Sequence, residues 1–146
     1  MSKSNTFEND LLLLVFNNTD IAGIGDAGGL QNSATAGSLY VSLHTADPGE
    51  AGDQTTSETA YTNYARVAVA RSSAGWTVTG NTVANAALVQ FAQCGVTGAT
   101  LTHFGVGTSA SGAGKLLYSG ALTSSLAVSS GIQPQFAAGD LNITED

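Results

Sequence analysis

At 146 residues the chain has the length of about one domain. Charged residues make up 10% of it, against roughly 25% in ordinary soluble domains, and 4 Lys and Arg against 11 Asp and Glu leave a net charge of −7. That balance excludes nucleic acid as a partner, because a phosphate-binding surface needs clustered cations; so sparse a charge suits a chain whose surface is covered by neighbours in an assembly.

The N-terminus lacks the basic and apolar regions of a signal peptide, and its longest apolar run, Leu11 to Phe16, is too short to span a bilayer. The expectation is a protein made and used without secretion, with no membrane partner. Residues 5 to 17 read as a helix, with Asn5 or Thr6 as N-cap and Glu8 and Asp10 in the first turn. Phe7, Leu11, Leu14 and Val15 recur at helical spacing, and Leu12, Leu13 and Phe16 carry the apolar surface further round. A helix of that kind wants burial on more than one side. Phe7, Leu11, Leu12, Leu14, Val15 and Phe16 are therefore candidate assembly contacts, the plainer reading being a helix packed on its own domain.

From Thr19 to Gly37 the chain is rich in Gly, Ala, Asn, Asp and Ser, and Gly23, Gly25, Gly28 and Gly29 argue against a long regular element. It reads as a linker, giving an arm over 1–37 and a body over 38–146. The body alternates in the manner of strands. Ser38 to His44 sets Leu39, Val41 and Leu43 on one face against Ser38, Tyr40, Ser42 and His44 on the other. Tyr64 to Ala70 repeats the device, and its Arg66 and Arg71 just beyond it read as solvent-facing. Trp76 to Thr79 turns at Gly80-Asn81 into Thr82 to Ala84. Leu88 to Ala92, His103 to Thr108, Lys115 to Ser119, Ser125 to Ser129 and Leu141 to Thr144 follow. Eight or nine short strands at even spacing, with no second helix, predict an all-β fold: a β-sandwich or jelly-roll-like body with an N-terminal helical arm.

Chemistry is sparse. His44, His103 and Cys94 stand in no nucleophile–base pattern, and no Gly-x-Ser-x-Gly elbow occurs, so no catalytic residue and no enzyme is expected. Cys94 is the single cysteine, which leaves no internal disulfide and no cysteine-based metal site. Gly112-Ala113-Gly114-Lys115 fails as a phosphate loop, because an earlier glycine is missing and Leu116 stands where Ser or Thr must reach magnesium. The loop from Asp47 to Glu58 carries four carboxylates without calcium-loop spacing, so it reads as a solvated loop; no metal or cofactor is expected. Tyr40, Tyr61, Tyr64 and Trp76 are candidate ligand-facing aromatics, since rings on a β-sandwich stack on sugars; the plainer reading is core packing.

The run from Leu39 to Thr56, LYVSLHTADPGEAGDQTT, continued by YTNYARVAVAR from Tyr61 to Arg71 and GWTV from Gly75 to Val78, resembles a family of small tailed-bacteriophage virion proteins often labelled tail-fibre-like. HFGVGT from His103 and GKLLYSGAL from Gly114 are similar to the same family, so the resemblance covers most of the chain. It implies a virion protein assembled in the host cytoplasm, with other virion proteins as partners and no reaction of its own. Two placements follow: a capsid decoration or cement protein clamped by its N-terminal arm, which is preferred, and a tail-fibre or tail-tip component meeting the host receptor. A homo-oligomer is expected in either case, and a carbohydrate-binding module contacting a host glycan is the further alternative.

Overall fold

The computed structural model describes residues 2–146. One helix, α1 (Asn5–Asn17), precedes nine strands: β1 (Ser38–His44), β2 (Val67–Ala70), β3 (Trp76–Thr79), β4 (Thr82–Asn85), β5 (Val89–Gln90), β6 (Ala99–Gly107), β7 (Leu116–Val128), β8 (Gln135–Phe136) and β9 (Asn142–Thr144). They form three sheets, ordered β2-β1-β6-β7, β3-β4-β9 and β5-β8. The fold is thus all-β with a single N-terminal helix. The described chain makes two compact units, the first from residues 2–38, 70–88 and 136–146 and the second from 39–69 and 89–135.

In the first unit α1 lies against β3 and β4. Its N-cap is Ser4 and not the expected Asn5 or Thr6: Ser4 has extended backbone, and its hydroxyl accepts from Phe7 N. The buried face is Glu8, Leu12 and Phe16, an i, i+4, i+8 row, rather than the row led by Phe7 and Leu11. The reason is the partner. Phe16 meets Trp76 edge to face at 4.8 Å between ring centroids, and Leu12, Phe16 and Trp76 are all 0% exposed; burying each stabilises the unit by roughly 2–3 kcal/mol. The helix carries no basic residue in its last turn, and Arg71 supplies the missing charge from elsewhere in the chain. Its Nε donates to Val15 O at 2.7 Å and its Nη2 to Leu14 O at 2.5 Å, satisfying carbonyls that a helix end leaves open. Arg71 is therefore not a solvent-facing strand residue.

The glycine-rich stretch after α1 folds back on itself instead of running as a plain linker. Ile21 and Leu30 exchange both backbone hydrogen bonds, Asn18 and Ser33 bond reciprocally, and Asp20 accepts from Asn32 N. Side-chain oxygens stand in for the ladder that glycine cannot favour. Across the hairpin Thr79 pairs with Thr82, as the Gly80-Asn81 turn predicts, and β9 adds to β4 with Ile143 opposite Val83.

In the second unit β1 pairs antiparallel with β6, from Tyr40 opposite Gly107 to His44 opposite His103. Leu39, Val41 and Leu43 are buried as the alternation predicts, but Ser42 and His44 on the other face are buried as well. The far end of β1 is thus covered on both faces. The strands expected at 115–119 and 125–129 are one 13-residue strand, β7. It pairs with β6 through two irregularities: Leu117 is extra between Tyr118 and Leu116, and Leu122 to Ser125 stand opposite Thr102 alone.

Candidate functional site

The loop leaving β1 is held by a polar core. His44 Nδ1 donates to Thr56 O at 2.9 Å, so Nε2 carries the lone pair and accepts from the Ser42 hydroxyl at 2.8 Å. Burial holds the His44 pKa below its usual value near 6.5. A serine hydroxyl on a histidine looks like half of a catalytic triad. Both side chains are 0% exposed and the orienting partner is a backbone carbonyl, so the pair is a hydrogen bond packed inside the unit.

Beside it lies a charged clamp. Arg66 Nε and Nη2 grip the two oxygens of Glu58, each at 2.7 Å, and Tyr64 OH donates to Glu58 Oε1 at 2.9 Å. Hydrogen bonding to Glu58 raises the Arg66 pKa, and burial raises that of Tyr64. The guanidinium side chain is 2% exposed, where the sequence suggested a solvent-facing strand residue. Its remaining donors reach Ser109 O and Gly112 O, each at 2.8 Å. Gln54 grips the same connection between β6 and β7: its N donates to Ala113 O and its Oε1 accepts from Ser109 N, both at 2.9 Å. A Cβ at Gly107 or Gly114 would run into the Gln54 side chain, so glycine at these two positions leaves room for the amide. The glycine-rich 108–115 loop is therefore pinned from beneath.

Between the 47–52 segment and β7 runs a cleft of about 450 Å³, lined by Asp47, Glu50, His103 and every residue from Leu116 to Ala121. The lining takes in His103 of β6, the residue opposite Ala121, so the cleft lies where β6 and β7 meet beside the 47–52 segment. β7 is the last strand of its sheet, paired with β6. None of the chain's Lys, Arg, Asp or Glu residues lies within β7, although natural edges are commonly guarded by charge or proline.

The residues singled out from sequence are scattered among these features. Leu12 and Phe16 are packed inside the first unit, Leu11, Leu14 and Val15 are half-buried, and Phe7 is 37% exposed. Tyr61 and Trp76 are buried and offer no ring face to a sugar, while Tyr40 and Tyr64 are half-buried. Tyr61 and Tyr64 do meet, edge to face at 5.3 Å, with Phe91 stacked on Tyr64 at 6.2 Å, as a packed aromatic cluster. Cys94 is a buried free thiol. Sequence reasoning missed the cleft: Asp47 and Glu50 stood in the acidic loop, but nothing in the pattern joined them to His103 or β7. Among the described residues no group of three or more His, Cys, Asp or Glu side chains could hold a metal ion, and no helix is long and apolar enough to cross a membrane.

The chain is thus all-β, with pinned loops, an uncharged edge strand and a buried serine–histidine pair. The sequence profile of the podophage GP4 fiber I protein gp80 matches residues 2–144, and the chain belongs to that family. It is a tailed-phage structural protein of fibre-like type, as its sequence resemblance implied. No curated protein matches it.

Proposed function

We propose that the protein is a non-enzymatic subunit of the virion's fibre apparatus, held there as a homo-oligomer and by neighbouring virion proteins after assembly in the host cytoplasm. The family match over 2–144 is the observation that carries this reading. The scarcity of charge, in β7 at the edge of its sheet as in the whole chain, supports it, since it suits a surface that neighbours cover. In the decoration alternative residues 1–37 clamp capsid subunits as an arm detached from a 38–146 body, and Phe7, Leu11, Leu14 and Val15 are the apolar side chains with surface left for that purpose. The fibre reading is favoured because α1 spends Leu12 and Phe16 on Trp76 and its sheet.

Particles lacking the protein test the reading. Loss of adsorption to host cells, with genome release on heating unchanged, is the expected result. Earlier release with normal adsorption would replace the fibre placement by capsid decoration. A glycan array with the purified chain then reads whether a host sugar is bound directly.

A further inference from the structure

We infer that the end of the second unit that carries Val96, Leu126 and Ile132 is the face by which the chain meets a second copy of itself. This rests on the proposal that the protein stands in the virion as a homo-oligomer, and names the surface that joins the copies.

Apolar side chains are left in solvent there: Val96 is 87% exposed, Ile132 40% and Leu126 38%. Their segments stand side by side. Cys94 N donates to Ile132 O at 2.8 Å and Gly131 N to Cys94 O at 2.9 Å, which sets the 94–97 turn against the 129–132 turn. Ala99 pairs with Val128, and a Cβ on Gly98 would run into Val128 O, so the end of β7 joins them. Leu126 and Ala127 lie opposite Leu101 and Thr100 and point to opposite faces of the strand, yet both are exposed. β7 is thus uncovered on both faces where it reaches this end.

The turn that presents Val96 is fixed. Gly95 N donates to Thr62 O at 3.0 Å, Thr62 N to Thr97 O at 2.8 Å and Thr97 N to Thr62 Oγ1 at 2.9 Å. An apolar side chain on a turn held from both sides leaves little ordering to be done on contact, and that preorganisation favours docking.

Charge selects the occupant. Between Arg71 and Asp140 the only charged residue is Lys115, and the segments 94–101 and 123–132 hold none. A chain of net charge −7 repels its copies wherever acidic surface faces acidic surface. At this end two copies meet without that repulsion and without stripping water from a charge, whereas a partner recognised by charge finds nothing to pair with. The same patch on both copies then covers itself, as in a closed symmetric oligomer.

Sedimentation of the full-length chain over a range of concentrations tests the inference. A reversible oligomer is expected, held or tightened as salt rises, because salt screens the net charge and leaves apolar contact intact. Val96→Glu should weaken it about tenfold or more, as should Val96→Lys, while an equal mixture of the two variants should re-form it, since opposite charges then face each other across the contact. Unchanged circular dichroism verifies the fold of both variants. Dissociation on raising salt, or a mixture no stronger than either variant alone, would overturn the inference. Incorporation into particles separates the levels of failure. A wild-type chain absent from virions defeats the proposed function; one that enters them yet stays monomeric in solution defeats the homo-oligomer and this face with it; an oligomer indifferent to both substitutions defeats the face alone.

Discussion

The two units solve the same problem with different materials. The first is closed mainly by apolar surface, Leu12 and Phe16 of α1, Trp76 of β3, Val83 of β4, Ile21, Leu141 and Ile143, with Glu8 and Asn85 as its buried polar residues. The second has an apolar core of its own but buries Ser42, His44, Gln54 and Thr59 within it, and its loops are placed by the Arg66–Glu58 clamp and the Gln54 amide. Apolar burial is strong and undirected, which is enough to seat a helix. Hydrogen bonds and ion pairs are weaker on balance but fix direction, which is what a loop beside an edge strand needs. The first unit should therefore fail by losing volume and the second by losing a partner.

The sharpest way to break the comparison is to remove residues 2–17. Trp76 then loses Phe16 and Leu12 together, and the first unit should unfold, seen as loss of near-ultraviolet circular dichroism from the chain's single tryptophan. A truncated chain that keeps that signal and a cooperative melt would instead establish 1–37 as an arm separable from a 38–146 body. Next in size, Trp76→Ala should cost about 3–5 kcal/mol in a urea titration, the range for deleting a buried large aromatic.

Arg66→Met addresses the second unit. It leaves the Glu58 carboxylate without its counter-ion and releases the 108–115 loop, so a loss of about 3 kcal/mol is expected. Adding Glu58→Gln should restore part of it, because the uncompensated charge goes. Equal losses in the single and double variants would show that the loop contacts, not the charge, matter.

Acid should find the second unit first. Burial lowers the His44 pKa from its usual value near 6.5, so below that pH the unfolded chain binds a proton that the folded chain resists. Stability is then whole above pH 6.5 and declines as pH falls from there toward the folded-state value. Melting temperature followed from pH 8 to 5 should show this slope, and His44→Gln should flatten it; a slope unaltered by the substitution would assign it to other groups. The smallest effect belongs to the helix start. Ser4→Ala removes the acceptor for Phe7 N and should cost about 0.5–1 kcal/mol.

Much of this architecture was legible from local pattern. The helix limits, the alternation of β1 and the Gly80-Asn81 turn follow from period, capping residues and turn chemistry, all of which act within a few residues. The resemblance of the 39–56 run carried the family, since a specific sequence stretch needs no fold to be recognised. Which face of α1 would be buried was not legible, because apolar residues surround most of it and only Trp76 selects Leu12 and Phe16. Nor were the roles of the two arginines: a strand residue's period says which face it takes, not that a helix end or Glu58 waits there. The cleft lay furthest from view. It depends on β6 and β7 meeting beside a loop from well before them in the chain, and approaches of that kind exist only once the strands have chosen their order.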